Sequence, residues 1–351
     1  MAAPLRLGTR GSQLALWQAN MVKARIKATG GPLCDIVVIK TSGDRLQEAP
    51  LSEVGGKRLF VKEIEDALLR RDIDLAVHSS KDMPVVLPDG LAIAGVLPRE
   101  NPLDAVVLPL GEVRLKTDAA NGTEAAVAGN YGASGFSRTS LETVDDLVAA
   151  LGQSPSIGTG SVRRVAQLTR LFPNARFTAI RGNLDTRLRK LDEGQHDALV
   201  LAAAGLKRLG FGSRIALALP PAACLPAPGQ GIVAIEIRDG DERMRAAVAA
   251  IDDADAATAL TAERAVVTAL GGGCQTPVGA LATLGPEDAL EIAGIVVALD
   301  GSEAVHGRLK GPRALAAELG RRLGEQLLAD GGAEILAGAK RAPGAVGGIQ
   351  P

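Results

Sequence analysis

One short segment of the sequence combines a carboxylate, an amine and two hydroxyl groups. It runs from His78 to Pro84 and places Lys81 and Asp82 directly after an apolar stretch. Open α/β sheets hold their ligands at the carboxyl ends of strands, so an acid and a base would converge there. The competing interpretation is a polar turn that only closes a strand, with His78 as a hydrogen-bonded structural residue.

A second segment, Gly158–Arg164, has small residues followed by two adjacent arginines. Small residues between a strand and a helix expose backbone N–H groups, which favours a bound anion, and the two arginines add fork-shaped donors. The spacing is neither a full dinucleotide fingerprint nor a Walker loop. A solvated helix start would explain one arginine, but further arginines follow strand ends in the same half and favour a ligand with several carboxylates. The arginines concerned are Arg163, Arg164, Arg181, Arg187 and Arg208.

A third segment is the glycine-rich loop in which Gly271–Gly273 precede Cys274. The sulfur in such a loop can be accessible, and its thiolate is a nucleophile. A lone cysteine is more often unreactive, and we give this interpretation to Cys34 and Cys224 because neither lies in such a loop. An odd number of widely spaced cysteines favours a reducing compartment over a disulfide framework.

Composition excludes several classes of function. The 351 residues carry 39 Lys and Arg against 40 Asp and Glu, which argues against general attraction to nucleic acid or membranes. Aromatic residues make up 2 %, too few for a base-stacking platform, and the three histidines stand in unrelated contexts, so no metal site is expected. No apolar run reaches membrane-spanning length and the first ten residues lack a secretory pattern, so we expect a cytoplasmic protein.

The elements that must position these segments alternate between apolar runs and amphipathic stretches, which predicts mainly parallel sheets covered by helices. The predicted strands are Leu5–Thr9, Ile36–Ile39, Asp74–Val77, Leu91–Leu97, Ala105–Leu108, a strand at Ile157, Arg176–Ile180, Ala198–Ala203, Gly231–Ile237, Val278–Leu284, Leu290–Leu299 and Ala304–Leu309. The predicted helices are one capped by Ser12, Lys57–Arg70, one through about Leu171, Leu184–Leu191, a short one from Leu206, Ala256–Leu270 and Arg313–Leu328.

Three connecting segments are distinguished by their composition or by a turn signal. Residues 111–142 are rich in small and polar residues without apolar periodicity, which predicts a loop or insertion. The proline- and glycine-rich stretch Leu225–Gly231 is either a plain turn or a crossover between domains, and its position favours a hinge. Asp300-Gly301 is a hairpin signal within the last third, which predicts a small antiparallel sheet with helices.

Several long motifs, taken together and in order, resemble hydroxymethylbilane synthase, the porphobilinogen deaminase family. The resemblance covers nearly all of residues 4–340, and chance agreement of so many motifs is not credible although each alone is weak. The motifs are Leu7–Ser12, Leu14–Ala19, Lys40–Asp44, Gly55–Lys57, Leu59–Glu63, His78–Pro84, Arg181–Asn183, Ala204–Gly210, Pro228–Gly231 and Gly272–Gln275.

The resemblance implies an α/β fold of three domains. Two would be α/β domains like type II periplasmic binding proteins, and the third a small α+β domain with a three-stranded antiparallel sheet. The implied divisions are 1–102 with 231–250 for the first domain, 103–230 with the insertion at about 111–142 for the second, 251–340 for the third and 341–351 for a disordered tail.

The function that the resemblance implies is the condensation of four porphobilinogen molecules head to tail, with loss of ammonia at each step. The chain would grow on a dipyrromethane cofactor held by a thioether to Cys274, and hydrolysis would release linear hydroxymethylbilane, a precursor of heme. The protein would act as a monomer and pass its product to the next tetrapyrrole enzyme.

The resemblance also implies roles for single residues. Asp82 would stabilise the cationic azafulvene formed when ammonia leaves and help to move protons. Lys57 would lie on a mobile loop that covers the site, and Phe60 would stack on a pyrrole. Besides Cys274 and Asp82, the cofactor-binding residues would be Lys81, Thr159, Ser161, Arg163, Arg164, Gly182 and Arg187. The substrate-binding residues would be Arg10, Ser12, Phe60, Arg181, Arg208 and Gln230.

Two features depart from the family pattern, and two other functions compete with it. Gly160 stands where many relatives have a hydroxyl residue, and the 111–142 stretch is longer than expected. A two-lobed binding protein for a small anion would share the fold and the arginines, but the Cys274 loop counts against it. A phosphate-binding transferase built on Gly158–Ser161 would leave Cys274 and Asp82 without a role.

Overall fold

Two five-stranded sheets and one three-stranded sheet organise the protein in this computed structural model, which describes residues 3–45, 60–110, 141–271 and 276–341. The strands are β1 (Leu5–Thr9), β2 (Cys34–Val38), β3 (Leu75–Ser79), β4 (Leu91–Val96), β5 (Asp104–Val107), β6 (Ser156–Gly158), β7 (Arg176–Thr178), β8 (Ala198–Ala202), β9 (Ile215–Ala218), β10 (Val233–Arg238), β11 (Val278–Leu284), β12 (Ala289–Val297) and β13 (Ala304–Pro312). The helices are α1 (Gln13–Ala28), α2 (Ser42–Arg45), α3 (Lys62–Leu69), α4 (Val144–Leu151), α5 (Val162–Leu168), α6 (Leu184–Asp192), α7 (Ala203–Arg208), α8 (Glu242–Ala249), α9 (Ala254–Ala269), α10 (Ala316–Leu327) and α11 (Ala333–Arg341).

The two larger sheets follow the same plan. Their strand orders are β2-β1-β3-β10-β4 and β7-β6-β8-β5-β9. In each sheet one strand, β10 or β5, runs antiparallel to both neighbours, and the other strands share one direction. The prediction of mainly parallel sheets is therefore confirmed, as is the predicted pair of α/β units.

The reversed strands are those that the chain reaches by crossing between the sheets. It leaves the first sheet after β4 and enters the second at β5, then returns through residues 219–232 to β10. The two crossings run side by side, since the Glu100 amide donates to the Gly231 carbonyl at 3.0 Å. Gly231 has a φ of +87°, and a Cβ there would collide with the Glu100 carbonyl, so this close approach requires glycine. The segment predicted to be a hinge thus lies in the second crossing.

Helices cover both faces of the larger sheets, as apolar strands buried on both sides require. In the first sheet, α1 and α8 pack on one face, where Ile26 and Met244 join a buried cluster with Leu7. The other face carries α3 and also α9, through Leu68 and Leu260 respectively. The Ser12 hydroxyl accepts a hydrogen bond from the Ala15 amide at 3.3 Å, which confirms Ser12 as the predicted cap of α1.

The third sheet is a small antiparallel unit in the order β11-β12-β13, as predicted. The predicted hairpin is also present between β12 and β13, where Gly301 takes a φ of +74°. Helices α9 and α10 pack on this sheet and on each other. The three sheets support the predicted division into three domains, whose exact boundaries stay a prediction.

Several elements differ from the prediction. The short helix predicted to begin at Leu206 begins at Ala203, and α4, β9 and α8 were not predicted. The predicted tail begins at residue 341, but Arg341 is the last residue of α11, which continues past Gly338. Residues 342–351 lie outside the described residues, as do residues 111–140 of the predicted insertion.

Close packing of α10 on α9 leads to a first prediction. A Cβ at Gly320 would collide with the Ala262 carbonyl, whereas a Cβ at Gly338, exposed on α11, would have no atom within 4 Å. We expect Gly320→Ala to lower the free energy of unfolding by about 1–3 kcal/mol, because the helices must move apart. Gly338→Ala should instead raise it by about 0.5–1 kcal/mol. Urea denaturation of both variants measures the difference, and equal effects of the two substitutions would contradict the helix contact.

Candidate active site

Most of the predicted site residues directly follow the carboxyl ends of strands. They gather where these ends of the two larger sheets face each other, a region that we call the cleft. Arg10 and Ser12 follow β1, and the single-turn helix Ser80–Asp82 follows β3. In the second sheet, Thr159 to Arg164 follow β6, Arg181 and Gly182 follow β7, and Arg208 ends the helix that follows β8. These strands all run in the same direction within their own sheet, so the residues after them lie at one edge of that sheet.

Asp82 is exposed to the cleft and lines one cavity together with Arg10, Ser12 and Phe60. The Arg10 guanidinium lies 4.3 Å from the centre of the Phe60 ring, and its Nη2 lies 2.6 Å from Asp44 Oδ1. Burial opposes ionisation of Asp44, but hydrogen bonds from Arg10 and Thr41 outweigh it and lower the pKa of that carboxyl. Arg10 is therefore held between an ionised carboxylate and an aromatic ring.

His78 also lines this cavity, yet its hydrogen bond supports the structural interpretation. Its side chain is buried, and Nε2 lies 3.0 Å from Oε2 of Glu236 on the neighbouring strand β10. Glu236 is fully buried, and its other oxygen has no hydrogen-bond partner among the described residues. The pair anchors β3 immediately before the turn that carries Lys81 and Asp82.

A second cavity lies on the other side of the turn. Its polar lining comes from Ser80, Lys81, Ser161, Arg163 and Arg264, and its apolar wall comes from all three domains. The apolar and remaining lining residues are Met83, Val85, Ala227, Pro228, Leu260, Val267, Thr276 and Val278. Thr276 stands two residues after Cys274, which itself lies outside the described residues together with Gly272, Gly273 and Gln275. Lys57 is outside the described residues as well.

Arg163 and Arg164 are buried, at 4 % and 6 % exposure, and share one carboxylate. Arg163 Nη1 lies 2.7 Å from Asp104 Oδ2, and Arg164 Nε lies 2.8 Å from Asp104 Oδ1. Burial favours the neutral acid at Asp104, but the two guanidinium groups outweigh it and hold its pKa well below the usual range. Asp104 was not named by sequence analysis, although a carboxylate at the start of an apolar strand is a signal that could have found it.

Gln230 lies in the second crossing and is 1 % exposed. Its Nε2 donates to the Pro102 carbonyl at 2.7 Å and to Asp104 Oδ1 at 2.9 Å. Its Oε1 accepts from Lys81 Nζ at 3.4 Å and from Arg164 Nη2 at 3.5 Å. The amide group therefore joins the two crossings and contacts cations from both larger domains.

Lys81 extends from the first domain toward this network. Burial lowers the pKa of its amine to about 8, which Asp82 opposes and the positive charges of Arg164 and Arg163 reinforce. The amine is charged below that pH and loses its charge above it. Its attraction for carboxylates therefore falls as the pH rises through about 8.

The remaining predicted arginines occupy the second domain's side of the cleft. Arg187 donates through Nε to the Gly182 carbonyl at 2.8 Å, and burial and the charge of Arg164 lower its pKa. Asp82 acts in the opposite direction on that pKa, so Arg187 and Asp82 lie within electrostatic reach of each other. Arg208 donates to the Gly231 carbonyl at 2.6 Å and lies 5.7 Å from the ring centre of Trp17. Arg181 is half-buried beside Gly182.

The segment after β6 keeps its side chains close to the second cavity. Thr159 is fully buried, and its hydroxyl accepts from the Ser161 amide at 3.4 Å. Ser161 precedes α5 without a side-chain capping bond and lines the cavity. Gly160 is exposed, and a Cβ there would meet only the Ile180 carbonyl at 3.6 Å, so the glycine is not required by packing.

Metal ligands, membrane-spanning helices and reactive thiols are the other features that bear on function. In residues 3–45, 60–110, 141–271 and 276–341, no group of three or more His, Cys, Asp or Glu could hold a metal ion. In the same part of the chain, no helix is both long enough and apolar enough to cross a bilayer. Cys34 and Cys224 are buried, and burial raises the pKa of Cys224 to about 12, which agrees with their interpretation as unreactive thiols.

Comparisons with known proteins give one consistent result. The family model "Porphobilinogen deaminase, dipyromethane cofactor binding domain" matches residues 5–246, and "Porphobilinogen deaminase, C-terminal domain" matches residues 257–329. A porphobilinogen deaminase from Syntrophotalea carbinolica is 43 % identical over 337 residues, which cover 96 % of this chain and 96 % of that protein. The one from Geotalea daltonii is 42 % identical over 334 residues, which cover 95 % of this chain and 94 % of that protein.

A solved structure also shows similarity, at a much lower level. A putative methionine-binding lipoprotein from Bacillus subtilis is 10 % identical, with a TM-score of 0.39. The match covers 72 % of this chain and 92 % of that chain. At this level the likeness says nothing about the ligand of the cleft.

The environment of Lys81 leads to a second prediction, which NMR of ¹³C-methylated lysines can test. We expect one resonance to titrate at about pH 8, well below the value of about 10.4 that is usual for lysine. Lys81→Arg should remove that resonance, whereas Lys27→Arg, at an exposed position on α1, should leave it in place. If Lys81→Arg removes only a resonance that titrates near the usual value, Lys81 does not lie in the buried cationic environment described above.

Proposed function

The chain belongs to the porphobilinogen deaminase family, and from this premise we propose how its own residues carry out the family's reaction. That reaction is a transferase reaction, which joins four porphobilinogen molecules head to tail with loss of ammonia at each step. The dipyrromethane cofactor supplies the free pyrrole end on which the product grows. We propose Cys274 as its point of attachment, because it is the cysteine preceded in sequence by three glycines, Gly271–Gly273, and it stands two residues before the cavity residue Thr276.

The residues present fit such a cofactor. A dipyrromethane carries four carboxylates, and the cavity beside Thr276 is lined by Lys81, Arg163 and Arg264. Two of its buried polar atoms, the Ser80 hydroxyl and Arg163 Nε, have no hydrogen-bond partner among the described residues. Buried donors without partners are costly, so a ligand that accepts hydrogen bonds there would be strongly favoured. Thr159, Ser161, Arg164, Gly182 and Arg187 complete the proposed cofactor-binding set.

One observation carries the proposed mechanism: the Ser80–Asp82 turn separates two cavities. The cavity with Lys81 and Arg163 would hold the cofactor. The cavity with Arg10, Ser12 and Phe60 would receive porphobilinogen, whose acetate and propionate suit Arg10 and whose ring suits Phe60. The turn would then lie between the growing end and the incoming unit.

Asp82 is the proposed catalytic residue. It lies in the turn after β3, is exposed and lines the cavity with Arg10, next to Lys81 of the other cavity, so it would lie close to both bound groups. It would stabilise the positive charge that develops on the substrate pyrrole as ammonia leaves, and then accept the proton released when the new carbon–carbon bond forms. Stabilisation by a fixed carboxylate is efficient because no solvent has to reorganise around it.

The remaining cations would hold the carboxylates that accumulate as the product grows. Arg181 and Arg208 line the second domain's side, and we propose them with Gln230 as substrate-binding residues, Gln230 acting through its contacts with Lys81 and Arg164. We propose Lys57 as part of a covering loop. We further propose that the chain is a cytoplasmic monomer that passes hydroxymethylbilane to the next tetrapyrrole enzyme.

The tether can be tested by the intact mass of the purified protein. We expect the wild-type chain to exceed its sequence mass by two condensed porphobilinogen units, and Cys274→Ser to have the sequence mass alone. Cys34→Ser, at a buried cysteine outside the cleft, should keep the excess. An unmodified wild type that stays unmodified after incubation with porphobilinogen would contradict the proposal and favour the two-lobed binding protein.

The catalytic role of Asp82 predicts a kinetic effect without loss of the cofactor. Asp82→Asn should lower kcat by about 10²–10³-fold, the effect typical of removing one fixed electrostatic stabiliser. The mass excess should remain, since two condensations at the reduced rate still suffice to assemble the cofactor and the cofactor-binding arginines are unchanged. Asp89→Asn, at an exposed carboxylate after the same turn, should keep wild-type kcat. An Asp82→Asn enzyme that turns over at more than half of the wild-type rate would exclude Asp82 as the catalytic carboxylate.

A further inference from the structure

We propose that Asp104 is a positioning residue for the cofactor: its charge and location hold Arg163, which lines the cofactor cavity, together with the adjacent Arg164. The inference rests on the proposed function, because it requires that these arginines bind dipyrromethane. Asp104 itself is fully buried and does not line the cavity, so it would act only through the arginines.

The hydrogen bonds of Asp104 use both carboxylate oxygens. Oδ1 accepts from Arg164 Nε at 2.8 Å and from Gln230 Nε2 at 2.9 Å. Oδ2 accepts from Arg163 Nη1 at 2.7 Å and from the Cys224 thiol at 3.3 Å. A carboxylate with all of its partners in place cannot rotate without breaking several charge-assisted hydrogen bonds, so it defines a rigid direction for each arginine.

Charge explains why a carboxylate is needed at this place. Arg163 and Arg164 are adjacent in sequence and both buried, so their like charges raise the energy of the site. Within the described part of the chain, Asp104 is the carboxylate that forms an ion pair with each of them. Without its charge, two buried guanidinium groups would repel each other and would turn toward solvent or toward carbonyl groups.

The pairing with Asp104 also determines which nitrogen of Arg163 is left without an internal partner. Asp104 and the Leu225 carbonyl both bind Nη1, the latter at 2.6 Å. Nε is left without a partner among the described residues, and Arg163 lines the cavity. The internal hydrogen bonds therefore hold the guanidinium through Nη1, and Nε is the buried nitrogen that they leave unused.

Asp104 also lies where the two larger domains meet. It is the first residue of β5, directly after the first crossing, and Gln230 connects it to the second crossing and to Lys81. The positions of both guanidinium groups are thus fixed relative to the two crossings, through Asp104 and Gln230, as well as by contacts inside the second domain. A change at Asp104 should consequently affect cofactor assembly before it affects any later step.

Asp104→Asn tests the proposal, since it keeps the shape of the side chain and removes its charge. We expect the variant to be folded by circular dichroism with a lowered Tm, to lack the mass excess of two porphobilinogen units, and to have lost turnover. The matched control is Asp192→Asn, which removes the charge of a part-buried carboxylate in the second domain that pairs with Arg214 at 2.6 Å and lines neither cavity. It should also lower Tm but should keep the mass excess.

A second variant covers the case in which Asp104→Asn does not fold. The double variant Asp104→Asn with Gln230→Glu restores the buried charge but moves it away from Arg163. We expect it to fold and still to lack the cofactor, because Arg163 is no longer held. Full cofactor loading in a folded variant of either kind would overturn the proposal, as would failure of both to fold, which would make Asp104 purely structural. If the wild type itself carried no mass excess, the proposed function would fail instead.

Discussion

Most of the cleft depends on one buried carboxylate that lies between two buried arginines. An unpaired charge in a protein interior is very unfavourable, so Asp104, Arg163 and Arg164 must stay together once any of them is buried. Asp104 begins a crossing strand, and the arginines begin the helix after β6. Their pairing therefore ties the path of the chain between the domains to the helix that faces the cofactor cavity.

The repeated plan of the two larger sheets explains why this network meets the turn that carries Lys81 and Asp82. In each sheet the strands that share one direction end at the cleft, and the reversed strand brings the chain from the other domain. The crossings thus run directly beneath the cleft, where Gln230 contacts Lys81 from one domain and Arg164 from the other. Residues that are far apart in the chain become neighbours because both sheets present the same edge.

The third domain is fixed to the same crossings through a second buried ion pair. Glu263 on α9 binds Arg99 of the first crossing and the Gly229 amide of the second, at 2.6 Å each. On the other side, the hairpin turn at Gly301 lies against Ala166 of α5, and Arg170, just after this helix, donates to the Gly301 carbonyl at 3.1 Å. The domain that contains Cys274 in its sequence is therefore held against both the second crossing and the helix that carries Arg163 and Arg164. This arrangement keeps Thr276 at the cavity with Lys81 and Arg163.

The sequence by itself determined the elements with strong apolar periodicity and the residues that follow them. Leu5–Thr9 and Val278–Leu284 were predicted with the bounds that the structure has, because their patterns are local. The gathering of Arg10, Lys81, Asp82 and the arginines after β6 and β7 also follows from local reasoning, since strands that share a direction end at one edge. The short strand β9 was not predicted because its own residue pattern is too weak. Pairing with β5 makes Ile215–Ala218 a strand.

Only the tertiary structure decided the roles of Asp104 and Glu263. The hydrogen-bond partners of Asp104 lie 59, 60, 120 and 126 residues away in the chain, and no spacing rule reaches so far. The state of a buried charge depends on partners that folding brings together, so it cannot be read from neighbouring residues. The sequence therefore indicated which groups are candidates for the chemistry, and the fold decided which buried groups contact them.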